Sequence, residues 1–252
     1  MDRLRRQILD LGELRGARRT AVHAAVGELC ARSFTGDRAA ELMDLMFDTD
    51  ARILRRIQLF HDAADHVVGF VCAVRQDVRL DGRVVTVFRA VAAIEPEHRH
   101  RNRTALFALR EAARLRLRHP WRPAYLLTPI IHPSSYTALA RFSRRLYPSP
   151  RRPHDPALDR LVVALADLVD PFGPSEGPLL RERRISVRNA PVLDTPYARF
   201  YLAVNPRFAD GYGLLVLVPL AVTDLLSFTL RRSMTVLRRP SRAGGRRGER
   251  RP

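Results

Sequence analysis

A chain of 252 residues, 46% of them hydrophobic, can bury a sizeable core, which excludes a disordered protein. The formal charge is +18, and every basic side chain behind it, histidine aside, is arginine, because no Lys occurs. Such a balance suits a polyanionic partner, and it equally suits a GC-rich coding bias that replaces Lys by Arg.

The two cysteines, Cys30 and Cys72, form no metal-ligand or redox spacing, and each sits in an apolar run. A reduced, cytoplasmic setting fits them. The opening "MDRLRRQILDLGELRGARRT" has no continuous apolar stretch and does not read as a secretory signal.

Along the first segment, Leu4, Ile8, Leu11 and Leu14 recur at helical spacing, so residues 1–50 are expected to be helical. A second helix is expected over 18–32. A third follows, with Ala39, Leu42, Met43 and Met46 on one face and Thr35 or Asp37 as its cap. The character then changes. "RILRRIQLFHD", "HVVGFVCAVRQDVRL" and "RVVTVFRAVAAIEP" are rich in β-branched and aromatic residues and predict three antiparallel strands. Asp81-Gly82 between the last two is a hairpin signal, since Gly accepts the positive φ that tight turns need.

A helix over 104–118 follows, with Leu106, Leu109, Ala113 and Leu117 as its buried stripe and Arg110, Arg114 and Arg118 on another face. "AYLLTPII" predicts a buried strand parallel to the one before the helix. "SSYTALARFSRRL" predicts the next helix, capped by Ser134 or Ser135. Residues 149–156 read as a proline-rich linker. Residues 157–239 should complete the sheet, through a helix over 158–168, a strand near "RRISVR", a helix over "YARFYLAV", a strand "GLLVLVPL" and a last amphipathic helix. The basic tail, 240–252, reads as disordered.

The stretch "IEPEHRHRNRTALFALREAARLRL" joins strand end, basic loop and helix. Main-chain amides at a helix N-terminus, aided by the helix dipole, hold a phosphate. Ile94, Glu95, Pro96, Glu97, His98 and Arg99, then Asn102 and Thr104, resemble the acyl-cofactor loop of the GNAT superfamily of acyltransferases. There Asn102 and Thr104 stand where the family carries small residues, usually glycine. "IIHPSSYTALARF" is similar to the family's segment after the next strand. The resemblance covers residues 53–147.

It implies an α/β (α+β) fold: a GNAT-like mixed sheet in which an antiparallel meander precedes a β-α-β crossover, with a core at 51–148 and helical extensions at both ends. It also implies transfer of an acyl group from acyl-CoA to a small-molecule amine. The alternative donor is the phosphopantetheine of an acidic acyl carrier protein, as in N-acyl amino acid and homoserine lactone synthases of similar fold. An alternative of another class is a non-catalytic module binding an anionic partner.

On this reading Arg99, His100, Arg101, Asn102, Arg103 and Thr104 cradle the donor's phosphates, and the amides of Ala93 or Ile94 polarise the thioester. Asn is the residue after Gly that best tolerates the left-handed region. Against this stands the plain reading of "HRHRNR" as a solvated basic helix entry. Glu95, His132 and Tyr136 are the candidate acid–base groups, although the family's usual Tyr position falls on Leu139. No histidine pair has converging metal ligands, so no metal is expected. The last amphipathic helix reads as packed on the sheet, with peripheral contact with an anionic membrane through its flanking arginine pairs left as an alternative, whereas nucleic acid is not an expected partner.

Overall fold

The computed structural model describes residues 4–34, 38–101, 103–169, 175–182 and 194–220, with the side chains of 38, 99–101, 103–106, 109 and 142 left aside. The expected caps Thr35 and Asp37, the strand near "RRISVR", the last amphipathic helix and the tail lie outside the described residues.

One mixed sheet of eight strands organises the chain, in the order β1-β2-β3-β4-β5-β8-β7-β6. β2 (Ile53–His61), β3 (Val67–Leu80) and β4 (Arg83–Ile94) form the expected antiparallel meander. Asp81 and Gly82 turn between β3 and β4 with φ of 48° and 75°. Two successive left-handed residues match the twist of the strands that they join. α3 (Arg103–Arg118) then crosses over to β5 (Ala124–Ile130), which lies parallel to β4. β8 (Tyr212–Pro219) pairs antiparallel with β5, and the short β7 (Leu180–Glu182) and β6 (Ser175–Glu176) finish that side. The two short strands were not foreseen.

The N-terminus corrects the sequence reading. Residues Arg5–Asp10 form β1, an edge strand antiparallel to β2. Leu4 and Ile8 are four apart, a spacing that repeats in a helix and equally on one face of a strand. Both pack beside Phe60, Val71 and Phe107, while Leu9 packs on the opposite face.

α1 (Gly16–Ser33) and α2 (Arg38–Phe47) cover that opposite face. Leu29, Leu42 and Met46 meet Ile57, Phe70, Cys72 and Val91 there. Burial pushes the thiol of Cys30 up to about 11 and that of Cys72 to about 12, which leaves both as small hydrophobes. α5 (Pro156–Val169) packs farther along the same face, placing Val162 and Leu165 on Val85, Val87, Leu215 and Leu217. α3, α4 (Pro133–Phe142) and α6 (Pro196–Val204) cover the other face.

The buried stripe of α3 differs in phase from the expected one. Phe107, Ala112 and Leu115 face the sheet, whereas Leu117 is 85% exposed. Glu111 sits inside that stripe, 6% exposed, because Arg56 of β2 (3.0 and 3.1 Å) and Arg114 (2.6 Å) bond its carboxylate. A carboxylate is disfavoured in a core until an arginine from another strand satisfies it, and sequence spacing does not show that partner.

Glu111→Ala leaves Arg56 without this acid and should lower unfolding stability by about 3 kcal/mol, read as a lower urea midpoint at unchanged slope. Glu111→Gln should cost less.

Candidate active site

β4 and β5 pair only at Thr86–Ala124, Val87–Tyr125 and Phe88–Leu126, yet β4 runs on to Ile94 and β5 to Ile130. Beyond Phe88 the two parallel strands stop pairing, and a wedge lies between them. Main-chain parity describes its lining. β3 and β4 pair without a bulge from Leu80–Arg83 to Gly69–Ile94. Thr86 donates its amide to Pro123 on the β5 side at 2.9 Å, and Glu95 donates to Val68 on the β3 side at 3.0 Å. Even-numbered amides of β4 therefore turn toward β5, and odd-numbered ones toward β3. The amides of Ala90 and Ala92 project into the wedge, past the last paired residue.

β5 shows the complementary pattern. Leu220 donates to Ala124 at 2.8 Å, and the β5–β8 register is unbroken to Ile130–Leu214. Even-numbered groups of β5 thus face β8, and odd-numbered groups face β4. Pro129 occupies an odd position, so the place where a donor toward β4 would stand has no N–H. The ladder cannot resume there. Tyr201 of α6 holds the end of β5 by donating to the Ile130 carbonyl at 2.9 Å.

At the mouth, β4 passes through Glu95 into a 3-10 turn (Pro96–Arg101), and α3 begins at Arg103. The His98 amide is used within that turn, on the Glu95 carbonyl at 2.9 Å. The opening amides of α3 have no acceptor within the helix, as at any helix start. Gly69 of β3 lies across from Ile94. A Cβ there would come within 2.4 Å of Ile94 Cγ1, so glycine lets β3 close on the last residue of β4.

The expected site residues separate. Ile94 falls on the wedge side by parity. Ala93 does not: its amide turns to β3, opposite Phe70, and Ala92 takes its place. The backbone of Arg99, His100 and Arg101 lies in the 3-10 turn and that of Arg103 and Thr104 in the first turn of α3, all beside the mouth; Asn102 lies outside the described residues. Glu95 receives a hydrogen bond from Arg32 of α1 at 3.1 Å, so its carboxylate is directed to α1.

His132, not Ser134 or Ser135, caps α4: its Nδ1 accepts from the Ser134 amide at 3.1 Å. A neutral imidazole accepting at Nδ1 carries its proton on Nε2. That form donates, which removes His132 as a base and leaves it as an orienting group. Tyr136 is 0% exposed and donates to the Pro148 carbonyl at 2.8 Å, stacked near Phe200 and Tyr201. Burial pushes its hydroxyl far above the usual phenol range, so a proton-donating role is corrected to a packing one.

The groups missed by sequence reading are main-chain ones, Ala90 and Ala92, together with Pro129 and Gly69. A proline inside the apolar run "AYLLTPII" was the available signal.

A separate cleft of about 500 Å³ lies under the C-terminal half of α3, lined in part by Asp10, Arg56, Arg75, Glu111 and Arg118. It is roughly 20 Å from the mouth along the helix. Several of its charges are already paired: Arg56 and Arg114 with Glu111, and Arg75 with Asp77 outside the cleft. Of the three arginines that helical spacing puts together on α3, Arg114 is thus already committed to Glu111. Among the described residues no group of His, Cys, Asp or Glu forms a metal site.

No family model and no curated protein matches this chain. Solved structures are similar to it at low level. The GNAT family N-acetyltransferase YhbS from Escherichia coli, in complex with CoA, is 18% identical over 56% of this chain and 74% of that chain, with a TM-score of 0.38. The catalytic domain of Tetrahymena GCN5 histone acetyltransferase, in complex with coenzyme A, is 12% identical over 60% and 80%, with a TM-score of 0.38. An aminoglycoside 6′-N-acetyltransferase complexed with coenzyme A is 13% identical over 85% and 97%, again at 0.38. Likeness at this level says nothing about activity.

Tyr136→Phe should cost about 1 kcal/mol of stability, the worth of one buried hydrogen bond, and leave any turnover unchanged. Gly69→Ala should cost about 1–3 kcal/mol by overpacking Ile94. Thermal unfolding alongside an activity assay checks both.

Proposed function

We propose that this chain is an acyltransferase of the GNAT type, taking an acyl group from acyl-CoA and passing it to an amine. The observation that carries this reading is the wedge itself: two parallel strands that stop pairing at Phe88–Leu126 and are kept from pairing again by Pro129, with a helix starting at the mouth. The pantetheine arm lies along the unpaired edge of β4, as an extended chain would continue a sheet. The amine attacks the thioester carbonyl, and the oxyanion that forms accepts a hydrogen bond from the Ala92 amide. Collapse expels the thiolate, which takes up a proton.

The donor's phosphates sit at the start of α3, at the main-chain amides of its first turn, within the basic run of residues 98–103. The amine proton leaves through water, because the Glu95 carboxylate is held by Arg32 and His132 caps α4.

The burial of Tyr136 and the capping role of His132 favour one second reading, a GNAT-like binder without turnover. Both readings require the donor to bind, and only the first requires product.

Acetyl-CoA and a longer acyl-CoA should raise the melting temperature, and free thiol should appear when amines are supplied. Arg99→Ala should weaken donor binding, and Asn102→Gly should preserve or improve it. Ala92→Pro removes one main-chain donor that the β3 ladder does not use. It should lower kcat by about 10²–10³ while donor affinity changes little. Unchanged kcat in that variant would remove the oxyanion role, and no stabilisation by any acyl-CoA would remove the whole reading.

A further inference from the structure

At the end of the sheet opposite the wedge mouth, the turn from α3 into β5 exposes two large apolar side chains. Leu117 is 85% exposed, and Trp121, the single Trp of the chain, is 94% exposed. Neither is a loose end. The guanidinium of Arg116 bonds the carbonyls of Pro120, Arg122 and Leu220, and Arg122 is paired with Asp77 of β3. The turn is therefore clamped to the sheet and holds its apolar side chains outward in a fixed place. Val84, 38% exposed, lies at the same sheet end, because Thr86 of β4 pairs with Ala124 just after the turn.

The charge around these side chains is mainly basic, the exceptions being Asp77, which Arg75 and Arg122 pair, and Asp81 in the adjacent turn. Between residues 103 and 122 the only carboxylate is Glu111, which is buried and bonded by Arg56 and Arg114. Arg110 and Arg118 are exposed on the same helix, and Arg79 and Arg83 flank the adjacent hairpin. Leu220 is fixed at this end of the sheet by Ala124 and Arg116.

We propose that this end of the protein is a docking surface for an anionic lipid bilayer, with Trp121 and Leu117 entering the interface and the surrounding arginines meeting the headgroups. Indole is at home at the depth where acyl chains meet headgroups, and arginine reaches headgroup phosphates along its aliphatic stem. An acidic protein partner would need a broad apolar core beneath the charge. Here the apolar part is a few protruding side chains, a shape that a fluid interface accepts and a folded surface does not. The wedge mouth lies roughly 25 Å away along β4, so docking leaves it open, and this inference stands without the acyl-transfer reading.

Because Trp121 is the only indole, its fluorescence reports this surface alone. The full chain is mixed with vesicles of phosphatidylcholine, or of equal parts phosphatidylcholine and phosphatidylglycerol. With the anionic vesicles the emission should shift to the blue, acrylamide quenching should fall, and the protein should co-sediment. Pure phosphatidylcholine should do none of these.

Trp121→Ala and Leu117→Ser should each weaken vesicle partitioning by about tenfold, while Trp121→Phe retains most of it. Both sites are exposed, so the fold tolerates these changes, and unaltered melting temperatures check that. Co-sedimentation without a change in Trp121 emission would place the contact elsewhere and overturn the proposal. An equal blue shift with heparin or single-stranded RNA would replace the bilayer by a soluble polyanion. No retention on the anionic vesicles would end it outright.

Discussion

The absence of one main-chain hydrogen organises this protein. Pro129 sits in β5 at a position whose amide would face β4, and a strand cannot rejoin its neighbour through a residue with no N–H. The parting of the two strands begins earlier, after Phe88 and Leu126, and Pro129 keeps it from closing again. The parallel ladder spans three residue pairs and stops; β4 and β5 part; and the amides of Ala90 and Ala92 face a gap instead of a carbonyl. Unpaired main-chain donors are costly where no water or ligand reaches them. Their presence along the middle of a sheet is the reason to look for an extended partner there.

The rest of the fold holds that wedge in place. On the β3 side, Gly69 allows a close approach to Ile94 and keeps the β3–β4 register unbroken to the strand's end. On the β8 side, an uninterrupted antiparallel ladder and the hydroxyl of Tyr201 hold β5 through Ile130. α3 is pinned across the sheet by the Glu111 carboxylate and its two arginines, an ion cluster that sets the rotation of the helix as well as its position. The rotation has a consequence for the surface. It turns Leu117 outward and commits Arg114 inward, so the face that α3 offers differs from the one that its spacing suggests.

The side chains that resemblance nominated have been spent elsewhere. Tyr136 serves the core, His132 serves a helix cap, and Glu95 serves an ion pair with α1. What remains at the wedge is main-chain chemistry with basic groups at its mouth. That combination suits the stabilisation of a developing oxyanion and the holding of an anionic donor better than it suits proton transfer by a dedicated pair.

The sequence by itself determined the meander, the Asp81-Gly82 turn, the crossover to a parallel strand and the strand of 212–219, because each rests on a local rule. β-branched runs, a residue pair at ease with positive φ and an apolar strand after an amphipathic helix read the same in any context. It did not determine β1, since a four-residue spacing fits helix and strand alike until β2 offers hydrogen bonds to its edge. It could not decide the phase of α3, because the phase depends on Arg56, fifty-five residues away from Glu111. Nor could it say which amides of β4 face the wedge, as that parity is fixed only by pairing with β3. The tertiary structure decided these, for one physical reason: each depends on a hydrogen-bonding partner far away in the chain.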